Sequence, residues 1–396
     1  MRIAIICQSY PPMVSGAALV IQRLAQGIAD RGHKIAVLTA SDLGSAYSQQ
    51  ENGLDIVRIQ SYKNPLRVGQ NFVIWAHDFM LKALNEFQPE VVHLHDTLNF
   101  GVSAIRAARK MKIPSVLTIH QLPWFISMYL PTPPRIQKLV ENSAWRYSNW
   151  LLKQFDASIA PSKAIAEIVE KKTKFRPEVI SNGVDLVTFS PESIRDDEFI
   201  SICDRYQLDP KLPILLYVGR VDEDKRVDLV VQAAANVMKA LDIQLVVVGD
   251  GKQRDEIIKL SHTLGIYERC SFPGYVSKSG DLPGLYRSST VFVTASEVEI
   301  QSSVVLEAAA SGVPVVTVNA SSMCELVQHG ESGFLVEPRD VDAVAERIAL
   351  LVTNPEKAES MGLAGRVLAE FHSNERFLNA HEELYASIAV QDVQTV

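Results

Sequence analysis

The chain has 396 residues, which is more than one hydrophobic core usually organises, so two domains are expected. Hydrophobic residues make up 47% and charged residues 21% of the chain, a composition typical of soluble globular proteins. The net charge of -7 argues against a general nucleic-acid binder, and no nucleic-acid partner is expected.

Targeting and redox features of the sequence favour the cytoplasm. The four cysteines are scattered without metal-ligand spacing, which suits a reducing compartment. The N-terminal MRIAIICQSYPP is predicted to form a first strand. It is not expected to be a signal peptide, because its apolar core is too short. No apolar run approaches the roughly 20 residues needed to span a bilayer. Any membrane contact is therefore expected to be peripheral, at the inner face of the cell membrane.

The first half of the chain alternates short β-branched runs with amphipathic helical stretches. Helices are predicted at ALVIQRLAQGIADRG, which Gly32 closes, at ALNEFQPE and at AIRAARKMK. The predicted strands are RIAIICQS, HKIAVLTA, DIVRIQ, VVHLHD, PSVLTIH, ASIAPS and EVISNGV. This alternation predicts a mostly parallel sheet with helices on both of its faces.

The alternation begins again after a polar, proline-marked stretch. The later predicted strands are PILLYVG, QLVVVGDG, RCSFPGYV, STVFVTAS and VPVVTVN. The sequence therefore predicts an N-terminal domain at 1–190, a linker at 191–212 and a C-terminal domain at 213–374, with a helix at 375–390 packing back on the first domain. The predicted fold class is α/β, with two Rossmann-like, doubly wound parallel-sheet domains that face a central cleft.

The segment SEVEIQSSVVLEAAASGVP (296–314) carries two glutamates, Glu299 and Glu307, eight positions apart. It is predicted to be a loop that runs into a short helix ended by Gly312, and the first amides of such a helix attract an anion. Eight helical residues span about 12 Å, so the two carboxylates could hold opposite ends of one extended ligand. The alternative is a solvated loop charge and an ordinary helix residue. The apolar neighbours of Glu307 favour a site, because a lone carboxylate among them is costly.

Arg220 and Lys225 follow a predicted strand in the segment GRVDEDKR. An arginine fork and a lysine point charge at one strand end can bind a single diphosphate. The alternative is a solvated charged loop, because Asp222, Glu223 and Asp224 offer local ion pairs to both cations.

Two glycine-containing loops follow predicted strands. The loop SYPPMVSGAAL carries Gly16 and is typical of an anion-binding turn, although it lacks the three-glycine spacing of a dinucleotide fingerprint. The loop VVGDG, with Gly249 and Gly251, is predicted to let its backbone approach a ligand closely.

Three histidines lie at predicted strand ends. His120 ends SVLTIH, where side chains emerge at the carboxyl edge of a parallel sheet. His93 and His95 are two residues apart and therefore point to the same face of their strand. Metal binding by this pair is the weaker interpretation, because no third ligand is evident, and a structural role is the default.

Residues 122–153 mix aromatic and basic side chains, a composition typical of an interfacial helix on an anionic membrane. The equally weighted alternative is a core helix with a clamp loop over an acceptor cleft. The side chains concerned are Trp124, Phe125, Met128, Tyr129, Trp145, Trp150, Arg135, Lys138, Arg146 and Lys153.

Together these motifs resemble the retaining glycosyltransferases of the two-Rossmann-domain (GT-B) architecture, specifically the family 4 group. The likeness spans nearly the whole chain in the right order, which makes it more specific than any single motif. The matching motifs are Gly16, Gly32–His33, HLHD at 93–96, TIH ending at His120, APS at 160–162, SNGVD with Phe189, GR with Lys225, VVGDG, PGYV, the double-glutamate segment and CELVQHGESGFLVEPRD.

The resemblance implies a role for each candidate residue. Arg220 and Lys225 would bind the donor diphosphate, Glu307 the ribose hydroxyls and Glu299 the transferred sugar, while His120 would lie beside the reacting sugar. The remaining donor-binding residues would be Gly16 and Gly249 in close-approach loops, Tyr275 and Val276 beside the base, and Gln301, Ser302, Ser303 and Val304 near the phosphate. No metal or other cofactor is expected, because fixed cations and helix amides would stabilise the departing diphosphate.

One departure from the family pattern concerns the first glutamate. Many members have Glu-Gly-Phe-Gly there, whereas this chain has Glu299-Ile300-Gln301-Ser302. Side chains in place of glycines restrict how closely a sugar ring can approach the backbone. The glutamine two residues after the glutamate resembles the pattern of the subgroup that glycosylates membrane lipids such as diacylglycerol.

The predicted function is metal-independent transfer of a hexose, with retention, from a nucleotide-diphosphate sugar to a lipid or glycan acceptor. Glucose from UDP-glucose is the first choice and mannose from GDP-mannose the second. Two alternatives stay open: a sugar-nucleotide epimerase of the same architecture, and a catalytically silent subunit that binds sugar nucleotides, which the missing glycines motivate.

Overall fold

The structure is a computed structural model that describes residues 1–13, 15–64, 71–74, 76–123, 133–192 and 195–393. The chain forms two compact units. Unit 1 comprises Met1–Asn182 together with the C-terminal residues from Phe377 onward, and unit 2 comprises Gly183–Arg376.

Unit 1 is built on an eight-stranded sheet with the order β10-β9-β8-β7-β1-β2-β4-β3. Its neighbouring strands are parallel except for β3 and β4, which are antiparallel. The strands of this unit, including the small pair β5 and β6, are β1 Arg2–Cys7, β2 Lys34–Ala40, β3 Tyr47–Glu51, β4 Leu54–Ile59, β5 Tyr62–Lys63, β6 Asn71–Phe72, β7 Val91–Leu94, β8 Ser115–Thr118, β9 Ala157–Ala160 and β10 Glu178–Val179. The helices are Gly16–Asp30, His77–Phe87, Asn99–Lys110, Pro134–Leu152, Lys163–Thr173 and Asn374–Val393.

Unit 2 is built on a six-stranded, all-parallel sheet with the order β13-β12-β11-β14-β15-β16. Its strands are β11 Ile214–Val218, β12 Gln244–Val248, β13 Cys270–Gly274, β14 Val291–Thr294, β15 Val315–Val318 and β16 Gly333–Val336. Its helices are Asp196–Tyr206, Val227–Met238, Arg254–Thr263, Leu282–Arg287, Ser303–Ala310, Met323–Leu326, Val341–Val352 and Pro355–Glu370, with 3-10 turns at Glu223–Lys225 and Tyr267–Arg269.

The central strands are continuous apolar runs because helices cover both faces of each sheet. Ile3, Ile5 and Ile6 of β1 are fully buried, as are Leu245 and Val246 of β12. In both sheets the strand order reverses beside the first strand, at β1/β7 in unit 1 and at β11/β14 in unit 2. Ligands of doubly wound sheets bind at such reversal points, outside the carboxyl ends of the strands.

Residues 191–212, predicted as a linker, contain the helix Asp196–Tyr206, which packs within unit 2. Ile202 is buried against Gly284. A Cβ atom added at Gly284 would lie 2.4 Å from the Cδ1 atom of Ile202. Glu198 on the same helix accepts a bond of 3.0 Å from Arg287. The charged residues that suggested open chain therefore form the outer face of an amphipathic helix.

The C-terminal helix Asn374–Val393 supplies part of the unit 1 core. Phe377, Leu384, Tyr385 and Ile388 are buried in the same cluster as the strands of β1 and β2. None of the helices that the structure describes combines the length and the apolar character that a bilayer span requires.

Candidate functional site

The double-glutamate segment lies where the strand order of unit 2 reverses. After β14, a loop carrying Glu299 leads into the helix Ser303–Ala310, and Gly312 follows with φ +72°. This geometry requires a residue without Cβ strain, so the helix ends where the sequence indicates. The first amides of this helix have no intrahelical acceptor and lie at the carboxyl edge of the sheet.

Lys225 and Glu299 form an ion pair at this edge. The Lys225 Nζ atom lies 2.5 Å from Glu299 Oε1, and the two side chains are 16% and 17% exposed. Lys225 also approaches Asp224 at 3.7 Å, while the Glu299 carbonyl accepts a bond of 3.3 Å from the Ser322 hydroxyl. Two residues separated by 74 positions therefore meet in one half-buried charged site.

Arg220 leaves the same β11 loop but binds carboxylates of that loop. Its guanidinium pairs with Asp222 and lies 2.8 Å from Asp224 Oδ2, and the side chain is 51% exposed. The Tyr217 hydroxyl donates to the Arg220 carbonyl at 2.7 Å and so holds the backbone of the turn. The local ion pairs that the sequence offered as an alternative are thus present beside the lysine.

Glu307 is 2% exposed, and its burial is balanced by two partners. Lys278 forms an ion pair with one carboxylate oxygen, and the Tyr286 hydroxyl lies 3.3 Å from the other. Burial, followed by the neighbouring Glu307 charge, raises the pKa of Tyr286 well above its ordinary value, so this hydroxyl keeps its proton. Lys278 was missed by sequence reasoning: the cost of a buried carboxylate indicates that a partner exists, but not which one.

The VVGDG and PGYV loops meet through their backbones. Gly249 has φ +133°, and a Cβ there would lie 1.8 Å from the Gly219 carbonyl oxygen. The Gly249 amide donates to the Gly274 carbonyl at 2.8 Å. Tyr275 is 60% exposed beyond that contact, whereas Val276 packs on the unit 2 core. Packing of the three loops therefore accounts for a glycine at 249, and Tyr275 is the accessible side chain.

Gly16 is the first residue of the helix Gly16–Asp30 in unit 1. Ser15 caps that helix by accepting a bond of 3.1 Å from the Ala18 amide. Within the part of the chain that the structure describes, a Cβ at Gly16 would meet nothing within 4 Å. Unlike Gly249, Gly16 is not required by the packing of its own unit.

His120 belongs to a histidine cluster at the carboxyl ends of β7 and β8. Its Nε2 atom lies 2.8 Å from Nδ1 of His95. The Nδ1 and Nε2 atoms of His93 are bound to the Tyr385 hydroxyl at 2.6 Å and to Thr118 Oγ1 at 2.7 Å, which leaves neither nitrogen for a metal. Burial lowers the pKa of His120 to about 4, and those of His93 and His95 well below the ordinary value.

Both ring nitrogens of His93 and the Nδ1 atom of His95 are therefore in hydrogen bonds, which agrees with the structural role that was the default for this pair. Over the described ranges, no group of three or more histidine, cysteine, aspartate or glutamate side chains is arranged to hold a metal ion.

The predicted membrane segment is described in part. Trp124, Phe125, Met128 and Tyr129 lie outside the described residues. On the helix Pro134–Leu152, Trp145 is buried and its indole donates to Glu141 at 3.3 Å, whereas Trp150 is 43% exposed. Beside this helix lies an open concavity of about 740 Å³, lined by Asn142, Trp145, Arg146, Asn149, Lys153, Lys172, Thr173, Lys174 and Phe175.

Comparison with protein families matches both halves of the chain. The model of glycosyltransferase family 4 matches residues 14–188, and that of glycosyl transferases group 1 matches residues 201–367. A GDP-mannose-dependent alpha-mannosyltransferase of Mycobacterium tuberculosis is 30% identical over 358 residues, which are 88% of each chain. The alpha-monoglucosyldiacylglycerol synthase of Streptococcus pneumoniae is 26% identical over 80% of this chain and 70% of its own.

The fold is shared with solved structures of low sequence identity. A sucrose-phosphate synthase from Thermosynechococcus elongatus superposes with a TM-score of 0.80 at 20% identity, covering 98% of this chain and 99% of the other. The chain belongs to glycosyltransferase family 4 and has two Rossmann-like domains of the GT-B type, which confirms the predicted resemblance and fold class. It is an enzyme, a nucleotide-sugar-dependent hexosyltransferase.

Proposed function

We propose that the protein transfers a hexose, with retention of anomeric configuration, from a nucleotide-diphosphate sugar to a lipid or glycan acceptor. The observation that carries this proposal is the pairing of Lys225 with Glu299 at the start of the helix that bears the buried Glu307. One half-buried cation, two carboxylates and the amides of a helix start supply complementary groups for a diphosphate flanked by two sugars.

Each group would act on a different part of the donor. Lys225 and the amides at Ser303 and Val304 would bind the diphosphate, and the exposed Arg220 side chain would join them by leaving Asp222 and Asp224. Glu299 would then accept bonds from the transferred hexose and Glu307 from the ribose. Lys278 forms an ion pair with Glu307. The ribose would therefore share this carboxylate with Lys278 or displace the lysine from it.

In the proposed step, the acceptor hydroxyl oxygen bonds to the anomeric carbon on the face that the diphosphate leaves. The bond from that carbon to the diphosphate oxygen breaks, and the hydroxyl proton passes to the departing phosphate. The negative charge that develops there falls on lysine, arginine and backbone amides. These groups support a metal-independent reaction, since fixed dipoles and cations can stabilise a leaving diphosphate.

We propose glucose from UDP-glucose as the first donor and mannose from GDP-mannose as the second. The names of the relatives support both sugars, since one is a monoglucosyldiacylglycerol synthase and another a GDP-mannose-dependent mannosyltransferase. The former also supports a membrane lipid as acceptor, together with Gln301 two residues after Glu299.

For the acceptor side we propose contact between unit 1 and the anionic inner face of the cell membrane. The helix Pro134–Leu152 exposes Ile136, Leu139 and Trp150 at 46%, 66% and 43%. Arg146 on the same helix and Lys153 just beyond its end line the open concavity with other cations. Exposed apolar side chains flanked by cations are what an anionic lipid surface binds.

The transfer proposal is tested by assaying purified protein with UDP-glucose and GDP-mannose, each with diacylglycerol vesicles and in the presence of a chelator. Lys225→Ala and Glu307→Ala are expected to reduce transfer by at least about 100-fold, because each removes a charged contact to the reacting donor. Product analysis reports the anomeric configuration. Full transfer by either folded variant would contradict the assignment, and loss of activity with the chelator would contradict metal independence.

The membrane proposal has its own test in vesicle sedimentation. Leu139→Asp is expected to weaken binding to vesicles rich in anionic phospholipid, and Leu363→Asp, at a leucine of unit 2 that is 51% exposed, serves as the control. Equal binding of both variants, or equal binding to zwitterionic vesicles, would contradict an anionic lipid contact at this helix.

A further inference from the structure

The contact between His95 and His120 determines what His120 can offer to a ligand. His95 follows β7, and its backbone amide donates to the Ile6 carbonyl at 2.8 Å, which fixes its position at the sheet edge. Its ring lies between two others, with ring centroids 4.0 Å from His93 and 5.1 Å from His120. The stacked neighbours hold the plane of the His95 imidazole, and its Nδ1 atom forms the bond to His120 Nε2.

The two rings can share this bond in only two ways. Both imidazoles are neutral near pH 7, because burial lowers the pKa of each, and a neutral imidazole carries a single N–H. In the first arrangement His95 donates from Nδ1, so His120 carries its proton on Nδ1. In the second, His120 donates from Nε2, and His95 must carry its proton on its own Nε2.

The buried Nε2 atom of His95 distinguishes these arrangements. It is inaccessible to solvent and has no hydrogen-bond partner in the described part of the chain. In the second arrangement this atom would be a buried N–H group without an acceptor, which costs the full desolvation penalty of the donor. In the first it is a bare nitrogen lone pair, a lesser loss. The packing thus favours donation by His95.

We infer that His95 is a positioning residue that makes His120 a hydrogen-bond donor through Nδ1. Resting on the proposed function, this assigns His120 a contact with an oxygen atom of the transferred hexose or the departing phosphate. A bare imidazole nitrogen at this position would instead accept a proton from a hydroxyl. His120 would therefore act as a hydrogen-bond donor in the reaction and not as a base.

Imidazole nitrogen NMR of histidine-labelled protein reads the proton position directly and without substrate. We expect the His120 signals, assigned by their loss in His120→Gln, to show a protonated Nδ1 and a bare Nε2. In His95→Phe, which keeps an aromatic ring but cannot donate, His120 Nε2 is no longer held as an acceptor, so His120 is expected to populate the Nε2-protonated form as well. In His95→Asn, whose side-chain amide can replace the Nδ1–H group, the original form is expected to return.

Kinetics provide the second readout. We expect His95→Phe to lower kcat/KM by about tenfold, the effect of one hydrogen bond, and His95→Asn to recover most of it. His262→Phe, which removes a histidine stacked on Tyr267 in unit 2, is the matched control and should keep wild-type activity. Thermal unfolding of each variant verifies that it is folded.

A protonated Nε2 on His120 of the wild-type protein would overturn the inference, as would an unchanged spectrum in folded His95→Phe. Equal activity of His95→Phe and wild type would refute its link to catalysis. Absence of transfer by the wild type would count against the proposed function alone, since the nitrogen spectrum is measured without donor or acceptor.

Discussion

Acid should weaken unit 1 before most of its carboxylates titrate. Burial lowers the pKa of His120 and of His381 to about 4, and His381 is only 2% exposed. In the unfolded chain each titrates near 6.5, so between pH 6.5 and 4 the unfolded state binds more protons. The stability contributed by the neutral rings is therefore present above pH 6.5 and is lost as the pH falls below it.

The size of this loss follows from the two pKa values. At pH 5.5, one pH unit below the unfolded value, each histidine costs about 1.4 kcal/mol, so the pair removes about 3 kcal/mol relative to pH 7.5. His93 and His95 add to the loss in the same direction. Such a change is a large part of the stability of a typical domain.

Tryptophan fluorescence isolates unit 1, because all four tryptophans, at positions 75, 124, 145 and 150, belong to it. Urea unfolding should show the free energy of unfolding falling between pH 7.5 and 5.5, and His381→Leu should reduce that fall by about 1.4 kcal/mol. His262→Leu, in unit 2, should leave the fall unchanged. Equal stability at the two pH values, or an unaltered fall in His381→Leu, would refute neutral burial of these rings.

Three further predictions concern unit 2 and its ligand. Lys278→Met is expected to destabilise unit 2 by about 1–3 kcal/mol, because it leaves the buried Glu307 carboxylate without its cation; an unchanged melting temperature in thermal unfolding would contradict the ion pair. Gly249→Ala should cost about 3 kcal/mol, since its Cβ meets a carbonyl, while Gly16→Ala should stay within about 0.5 kcal/mol; similar melting temperatures would refute the packing argument. The true donor, at about 100 times its dissociation constant, should stabilise the protein by about 2.7 kcal/mol, and no shift with any UDP, GDP or ADP sugar would count against donor binding.

The sequence predicted the strands and helix ends that depend on residues close together in the chain. Buried parallel strands appear as unbroken apolar runs, so β1 and β11 are found where RIAIICQS and PILLYVG stand. The helix Ser303–Ala310 is bounded by a polar turn and by Gly312, both readable from neighbours in the chain. The helix Asp196–Tyr206 was missed because its charged outer face resembles a linker until Gly284 is known to pack against it.

Contacts between residues that are distant in the sequence could not be predicted in the same way. Lys278 is 29 residues from Glu307, and nothing in its neighbourhood distinguishes it from a surface lysine. Lys225 was singled out because it follows a predicted strand together with Arg220, but its contact with Glu299, 74 positions away, was not predicted. Pair contacts across a sheet depend on strand order, and strand order is not a local property.

In the proposed donor site, each of these two lysines lies beside one carboxylate and balances its charge. A carboxylate that is to bind sugar hydroxyls must stay ionised while half or fully buried, and a lysine neighbour provides the compensating charge before any ligand arrives. In the proposed donor site, Lys225 would do this for Glu299 at the phosphate end and Lys278 for Glu307 at the nucleoside end. The pairs differ in exposure, since Lys278 is 31% exposed and Lys225 only 16% exposed. We therefore expect Lys278 to be the cation that moves when a donor binds, while Lys225 stays to meet the diphosphate.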